Sequence, residues 1–424
     1  MTRFALKAAA VAAMAFCAAC SVQAGGFMLY EQSVAGTGRA YAGAGVHRND
    51  DLSAAWYNPA GMTLLEGTQI QFGGTIVFTT MDLHADAAMG GRDNGRKKFV
   101  PVPNMYLTHK VNDSWWLGLS LNVPYGMAQE YARGRMMNNW GVNSEMKVFD
   151  ISPTVAYKVN DKLSLGGGIS IQYAKSWVES AQIQTNPQSP FAGKLAYGRL
   201  VADSWSAGFN LGVMWTPVET LRLGIGWRSE VRHDADGTYR FGMGAVGDSR
   251  PTNYMWSGKG SATVRAPQNI TLSAVWDVTP KWDLAATIRW YEWSSFDKLI
   301  IKNDIPQLAG EGSTTTLQND WKNSWFFSVG TDYRINDEWT VRAGVAYEDS
   351  PVVNEKRTAL IPDADRIWLS LGATWHMTKQ MQTDFGFTWI HGVGNMGLYK
   401  GDKKVAEYEN IDCILLGAQM VYKF

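Results

Sequence analysis

The stretch WTVRAGVAYE, residues 339–348, decides the fold, because its side chains alternate in character from one position to the next. One face carries Trp339, Val341, Ala343, Val345 and Tyr347, and the other carries Thr340, Arg342, Gly344, Ala346 and Glu348. Successive side chains of a β-strand point to opposite sides of a sheet. The stretch therefore predicts a strand with one apolar face and one more polar face.

The same alternation recurs along the chain and predicts fourteen strands. We expect them near residues 68–79, 97–110, 115–124, 147–158, 163–174, 203–215, 221–232, 263–276, 282–293, 324–334, 339–349, 366–376, 381–391 and 411–424. Short turns alternate with longer loops, and an even strand count with this plan is typical of bacterial outer-membrane barrels. The sequence thus predicts an all-β, transmembrane, 14-stranded antiparallel barrel, with a soluble β-sandwich as the structural alternative.

Aromatic residues cluster beside the short turns, where they would form the belt of a membrane barrel. They are Trp115, Tyr157, Trp215, Trp276, Trp282, Tyr333, Trp339 and Trp375. The chain has 19 Trp and 43 Gly, and it ends in the aromatic residue Phe424 on an alternating strand. An aromatic C-terminal residue on such a strand resembles the sorting signal of outer-membrane barrels. We therefore expect a multi-pass protein of the outer membrane of Gram-negative cells.

The first 24 residues have the pattern of a secretory signal peptide. Arg3 and Lys7 supply positive charge, an apolar run follows at 8–19, and Val22-Gln23-Ala24 is a small-x-small cleavage site. About a dozen apolar residues are too few to span a bilayer as a helix. Lipidation at Cys20 remains an alternative, although its upstream residues match a lipoprotein box poorly.

Charge and residue chemistry exclude several function classes. The chain has 39 basic and 39 acidic residues, so no basic bias points to nucleic acid. After removal of the signal peptide only Cys413 remains, and no internal disulfide is possible. We find no GxSxG motif, no suggestive partner near any of the six His, and no metal-ligand spacing. The sequence predicts neither an enzyme nor a bound cofactor or metal.

Residues 25–66 precede the first strand and are rich in small and apolar residues. They are too irregular for a strand and contain too many Gly for a long helix. A compact segment in front of a barrel is most simply a plug in its lumen, although a periplasmic tail is the alternative. We therefore expect three parts: the signal peptide 1–24, an N-terminal hatch 25–66, and the barrel 67–424.

Several motifs in this order resemble the FadL family of outer-membrane channels for hydrophobic compounds. Asn58-Pro59-Ala60 follows GRAYAG at 38–43, as in the hatch of that family. VPYGMAQEY at 123–131 resembles the segment after its third strand, and ISPTVAYKVNDKLSLG at 151–166 resembles its fourth and fifth strands. The resemblance covers essentially the whole mature chain and implies a fourteen-stranded barrel plugged by the hatch.

The resemblance also implies a transport route. A ligand would lodge in an apolar groove of the outer loops, pass to a pocket beside the hatch, and leave through a lateral opening at a kinked third strand. Gating is then expected of Asn58, Pro59 and Ala60. Pro124 lacks an N–H and cannot complete a ladder, and Gly118 and Gly126 make a bend easy. A plain strand end at Pro124 is the alternative.

Two predicted outer loops, 175–202 and 233–262, carry the expected ligand-binding residues. They are Trp177, Phe191, Leu195, Leu200, Phe241, Met243, Met255 and Trp256. A ligand carboxylate would need one cation beside an apolar slot, and Arg228 and Lys194 lie nearest these loops. Either residue remains open as the carboxylate partner.

The expected function is passive uptake of hydrophobic small molecules, with long-chain fatty acids as the first candidate. Channels for aromatic hydrocarbons of the toluene type are the alternative, followed by a general porin or a structural barrel. The expected partners are the hydrophobic substrate and outer-membrane lipids, with no nucleic acid. We expect the barrel to be a monomer.

Overall fold

A computed structural model describes residues 25–48, 51–93, 95, 99–185, 187–188, 192–250, 253–308 and 313–424. The predicted signal peptide at 1–24 lies outside the described residues. Most of the described chain is β-strand, as the alternating sequence predicts.

The described residues form nineteen strands. They are β1 (Thr68–Ala85), β2 (Phe99–Lys110), β3 (Trp115–Glu130), β4 (Asn143–Lys158), β5 (Leu163–Ile183), β6 (Leu195–Val218), β7 (Leu221–Arg228), β8 (Val231–Gly244), β9 (Tyr254–Ala266), β10 (Asn269–Thr279), β11 (Trp282–Tyr291), β12 (Lys298–Asn303), β13 (Thr314–Gln318), β14 (Ser324–Arg334), β15 (Trp339–Glu348), β16 (Asp365–His376), β17 (Met381–Val393), β18 (Gly397–Lys400) and β19 (Lys403–Lys423).

These segments build a closed antiparallel barrel with fourteen wall strands. The first and last strands pair from Gln69↔Lys423 to Ala85↔Ala406, which closes the sheet. Four wall strands are each interrupted once, as β7–β8, β9–β10, β11–β12 and β13–β14, and short β18 continues β17. The predicted fourteen-stranded barrel is confirmed, and its closure leaves neither the first nor the last wall strand as a free sheet edge in lipid.

Helical turns are short. They span Val34–Thr37 and Ala54–Tyr57 as α-helix, and Pro59–Leu64, Ala87–Met89, Met136–Trp140, Trp293–Ser295, Pro306–Leu308 and Asn354–Lys356 as 3-10 helix. Within the described part of the chain, no helix has the length and apolar character needed to cross a bilayer.

The wall sorts its side chains as the alternation predicts. In β15 the residues Trp339, Val341, Val345 and Tyr347 are exposed on the outer face, whereas Arg342 and Glu348 are buried inside. All eight aromatic residues predicted for the belt are exposed on the outside. The outer surface is thus apolar where lipid would contact it, and the lumen holds the polar groups.

The prediction of long irregular loops at 175–202 and 233–262 was wrong. Most of this chain continues the wall strands: β5 runs to Ile183, β6 begins at Leu195, and β8 and β9 pair from Val231↔Ala266 up to Gly242↔Tyr254. Above the lipid the outer face needs no apolar side chains, so the alternation fades although backbone pairing persists. A prediction based on apolar alternation therefore could not detect that the strands extend beyond the lipid.

Candidate plug and ligand pocket

Residues 25–48 and 51–66 lie inside the barrel and contact its wall on several sides. The Asn58 side chain donates from Nδ2 to the Val213 carbonyl at 3.0 Å, and its Oδ1 accepts from the Ala60 N–H at 3.2 Å. Pro59 is the first residue of the 3-10 turn, a position whose N–H has no partner within a helix, so proline loses no hydrogen bond there. The motif thus fixes a turn and ties it to β6.

Glycines on neighbouring strands make room for this turn. A Cβ on Gly166 would lie 2.4 Å from the Ala60 nitrogen, and one on Gly212 would lie 2.0 Å from Asn58 Oδ1. These glycines are cross-strand partners, and Gly212 also pairs with Gly226 of β7. No side chain fits between wall and plug at this level, so the strip seats the plug directly on the wall backbone.

A second glycine strip holds the other side of the plug. Gly330 and Gly344 are paired on β14 and β15, and a Cβ on either would lie within 2.6 Å of the Arg39 backbone. A Cβ on Gly372 of β16 would lie 2.8 Å from Gly38 Cα. The alternation pattern alone did not indicate either strip, although inward glycines lie at similar distances from the short turns.

Buried ion pairs join the plug to the wall beside this second strip. Arg39 of the plug lies 3.2 Å from Asp51 and 3.5 Å from Asp332 of β14. Arg342 of β15 links Asp332 at 3.3 Å to Asp384 at 3.1 Å. All five side chains are at least nine-tenths buried, so each charge depends on these partners.

Arg228, a predicted carboxylate partner, is buried against the plug. Its guanidinium lies 3.4 Å from the centre of the Trp56 ring and donates to the Trp56 carbonyl at 3.1 Å. It also donates to Ser170 at 3.3 Å and lies 3.8 Å from Asp150. These contacts join β7 to the plug and neutralise the arginine charge.

The third wall strand loses its neighbours where Pro124 was predicted to interrupt it. Its ladder with β2 ends at Met105↔Leu121, and its ladder with β4 shifts between Asn122 and Tyr125. The plug supplies partners instead: Leu29 donates to the Pro124 carbonyl at 2.8 Å.

Gly126 and Gly118, the two glycines predicted beside the kink, are both close to the plug. Gly126 donates its N–H to the Phe27 carbonyl at 2.9 Å. Gly118 lies in an unbroken part of both ladders, and a Cβ there would lie 2.5 Å from the Met62 sulfur. The start of the plug therefore completes an otherwise unpaired part of the wall.

A narrow apolar cavity lies above the plug, about 40 Å³ in volume. Phe27 forms its floor, and its walls include Met127, Val178, Leu200 and Ile361. Its polar lining groups are all neutral, and no Arg or Lys is among the described residues that line it. The cavity therefore suits an alkyl chain or an aromatic ring better than a charged group.

The structure brings only one described residue of the predicted ligand-binding set to this cavity, namely Leu200. Phe241 and Trp256 stack on each other with ring centres 5.4 Å apart, and Trp177 stacks with the Arg199 guanidinium at 4.0 Å. Leu195 is buried in a separate small cluster, Met243 is half-buried, and Met255 and Lys194 are exposed. Phe191 lies outside the described residues.

One Ser–His contact escaped the sequence analysis, because its members lie on different strands. His233 Nδ1 is 3.1 Å from Ser204 Oγ, and Nε2 is 3.1 Å from Gln172 Oε1. An amide rather than a carboxylate orients the ring, which differs from a hydrolytic triad. Among the described residues, no three His, Cys, Asp or Glu side chains converge on a possible metal position.

An apolar outer belt, an internal plug and an apolar cavity above it define a plugged outer-membrane channel. The sequence profile of the family described as outer membrane protein transport protein (OMPP1/FadL/TodX) matches residues 15–424. The chain belongs to this family and is an outer-membrane protein.

Known relatives match over most of their length. A long-chain fatty acid transport protein of Escherichia coli is 30% identical over 396 residues, with 87% of each chain covered. A putative outer membrane protein of Neisseria meningitidis is 29% identical over 474 residues, with 100% of each chain covered.

Solved structures share the fold. A FadL homologue of Pseudomonas aeruginosa matches with a TM-score of 0.82 at 25% identity, covering 94% of this chain and 100% of that one. The toluene transporter TodX of Pseudomonas putida matches with a TM-score of 0.75 at 16% identity, covering 95% of this chain and 100% of that one. At that identity the second match supports the barrel architecture alone.

Proposed function

We propose that this protein is a passive channel for uptake of long-chain fatty acids across the outer membrane. The observation that carries the proposal is the apolar cavity that rests directly on Phe27, the start of the plug. An alkyl chain bound there would contact the segment that also completes the wall at Pro124. Binding and release would thus be coupled through one short stretch of chain. The fatty acid transport protein of Escherichia coli among its relatives supports the choice of ligand.

The cavity must widen before it can hold such a ligand. Its volume of about 40 Å³ is far below the roughly 300–1,000 Å³ of typical ligand pockets. Phe27 packs edge-on against Trp293 at 4.6 Å and against Phe296 at 5.3 Å, so a shift of Phe27 would open the cavity floor. In the proposed cycle, this narrow cavity belongs to the closed arrangement.

The plug would act as the hatch. Residues 25–66 are assigned as the hatch and 67–424 as the barrel, with 1–24 removed as a signal peptide. Cleavage after Ala24 would turn the Gly25 nitrogen, which lies 2.5 Å from Glu348 Oε1, into a charged ammonium. That ammonium would bind the carboxylate more strongly than a neutral amide does. Movement of Phe27–Leu29 away from β3 would leave the lateral opening beside Pro124.

Aromatic hydrocarbons are the second candidate substrates. The cavity lining includes no cation among the described residues, so an uncharged ring would fit it without a partner for a carboxylate. TodX, described as a toluene transporter, shares the barrel architecture. With aromatic substrates the proposed channel and hatch are the same, and only the ligand differs. In either case the protein is a channel rather than an enzyme.

Uptake in cells separates the two candidates. Cells lacking the protein and cells producing it would be given labelled palmitate or labelled toluene. We expect palmitate uptake to depend on the protein. Uptake of toluene alone would favour the aromatic substrates, and uptake of neither would overturn the proposed function. Replacement of Asn58 and Pro59 by Ala, in protein that still inserts, should alter palmitate uptake if residues 25–66 gate the channel.

A further inference from the structure

The barrel wall has a second interruption, where the two neighbouring wall strands β9–β10 and β11–β12 both lose their pairing. The Tyr125 hydroxyl donates to the Pro267 carbonyl at its edge, at 3.3 Å. Below the interruption β10 and β11 pair as far as Asn269↔Tyr291, and above it β9 and β12 pair only through Ile301–Asn303. Residues 263–267 between them, all described, have no ladder partner across this seam. Five residues of strand span about 16 Å, which is wide enough for an alkyl chain to pass.

A groove of about 660 Å³ occupies this seam on the outside of the barrel. The 3-10 turn Trp293–Ser295 bends into the lumen there, and Trp293 is buried against Trp321 with ring centres 5.1 Å apart. Phe296 and Ala262 line both the outer groove and the central cavity. One aromatic ring and one methyl group therefore separate the two spaces.

The outer rim of the groove carries two arginines that face each other. Arg232 and Arg265 are direct cross-strand partners on β8 and β9, and both are exposed. Like charges at such positions repel. Arg232 pairs with Asp234 at 2.9 Å and Arg265 pairs with Glu230 at 3.5 Å, and each guanidinium keeps further donors for an anion.

The position of the rim suits the surface of a membrane. Just below the groove, the same two wall strands carry exposed apolar residues, Ile225 on β7 and Ile270 on β10. Arg232 and Arg265 begin the charged zone above them. A headgroup bound there would lie at the lipid–water boundary, and its chain would point towards Phe296. The central cavity offers no cation, so the head of an anionic ligand would stay on the rim.

We propose that this groove is a side entrance for single-chain anionic amphiphiles that already lie at the membrane surface. The headgroup binds Arg232 and Arg265, and the chain displaces Phe296 and enters the central cavity. The inference rests on the proposed function and adds a route and a headgroup site to it. A phosphate of a membrane lipid shares the headgroup chemistry, but its several chains could not follow through the gap.

Blocking the groove tests the route. Ser294→Cys places a thiol in the exposed groove wall, and Ser257→Cys places one on exposed β9 outside the groove. The native Cys413 is buried and out of reach of a bulky maleimide. Vesicles that contain the mature protein, residues 25–424, and receive palmitate from outside would report its passage. We expect maleimide treatment to lower passage at least about fivefold for Ser294→Cys and to leave Ser257→Cys unchanged.

Removing the rim charge tests the headgroup site. Arg232→Gln with Arg265→Gln should lower palmitate passage about tenfold and leave hexadecanol, the uncharged alcohol of equal length, within about twofold. Arg240→Gln with Arg250→Gln removes the same charge from exposed positions outside the groove and should change neither. Equal loss for palmitate and hexadecanol would overturn the headgroup assignment.

These experiments can fail for the side entrance without failing for the proposed uptake function. If the wild-type protein passes palmitate and the blocked Ser294→Cys protein does so equally well, the side entrance is wrong and the function stands. The arginines would then be a site for lipid phosphate only. If the wild-type protein passes no palmitate, both the proposed function and the side entrance fail.

Discussion

The half of the barrel near the short turns and the half near the long connections differ in how they contact the plug. In the short-turn half, wall strands are continuous, glycine strips meet the plug backbone, and buried ion pairs hold it. In the loop half, four wall strands are interrupted and the space above Phe27 is apolar. Below, buried ion pairs hold the plug. Above, apolar packing is joined by single hydrogen bonds, from Leu29 N–H to the Pro124 carbonyl and from Gly126 N–H to the Phe27 carbonyl.

This difference indicates where movement is easy. Buried ion pairs have one favourable geometry, and displacing them costs several kcal/mol, more than breaking a single hydrogen bond. Apolar side chains exchange one set of contacts for another with little loss. We therefore infer that Phe27–Leu29 and the loop half move during transport, while Arg39 and the Asn58 turn stay in place. Four changes test that division, from the largest expected effect to the smallest.

Arg39→Ala should have the largest effect, because it leaves Asp51 and Asp332 as buried carboxylates without this partner. Removing one member of a buried pair typically costs about 3–5 kcal/mol. We expect the plug to loosen and the purified protein to conduct ions in a planar lipid bilayer. Arg240→Ala, on the exposed outer wall, is the control and should stay closed. A closed Arg39→Ala channel in a folded barrel would show that the ion pairs do not hold the plug.

Gly166→Ala and Gly167→Ala form a matched pair on β5. A Cβ at Gly166 would lie 2.4 Å from the Ala60 backbone nitrogen, whereas one at Gly167 would have its nearest neighbours at 3.2 Å. Overpacking of this kind costs about 1–3 kcal/mol. We expect Gly166→Ala to raise ion conductance and Gly167→Ala to change it much less. Equal conductance in the two variants would mean that the glycine strip does not seat the plug.

The sequence predicted the wall well, because alternation with period two reports directly which face of a strand meets lipid. The plug was predicted from composition, but the glycine strips were not, since Gly330 and Gly344 become neighbours only once strand register is known. The residues that line the cavity were harder still to predict. Phe27, Leu200 and Ile361 come from distant parts of the chain, so no local pattern could select them.

Ligand residues were predicted from aromatic content in stretches taken for loops. Those stretches are largely strands, and strand alternation sends neighbouring residues to opposite faces. Leu200 therefore lines the cavity, while Trp177 stacks on Arg199 away from it. The second opening was not predicted, because it needs two interruptions side by side. The break between β9 and β10 at Pro267 leaves a gap only because the turn at Trp293–Ser295 interrupts the neighbouring wall strand.

Glu31→Gln tests whether pH loosens the movable part of the plug. Burial raises the pKa of the Glu31 carboxyl, which belongs to the plug rather than to a wall strand, to about 7, from 4.5. The seated plug therefore favours the protonated acid, and this stabilisation is lost as pH rises from 4.5 to 7. The loss is about 1.4 kcal/mol per pH unit in that window. We expect conductance to rise between pH 5 and 7 in the wild type and to change much less in Glu31→Gln. A pH response that survives in Glu31→Gln would assign the effect to another group.

Pro124→Ala should have the smallest effect, although its position led to the predicted kink. The substitution restores one N–H, and one hydrogen bond is worth about 0.5–1.5 kcal/mol. The facing strand β2 carries Pro101 and Pro103, which also lack N–H groups, so restoring the donor at position 124 alone leaves the other missing hydrogen bonds of this seam unmade. We expect palmitate uptake to fall by about twofold or less. Substituting Ala at all three prolines should lower uptake further, because both edges could then pair and close the opening when Phe27–Leu29 moves. Unchanged uptake in the triple variant would mean that the ligand does not leave beside Pro124, and the seam at Phe296 would become the first place to look for its path.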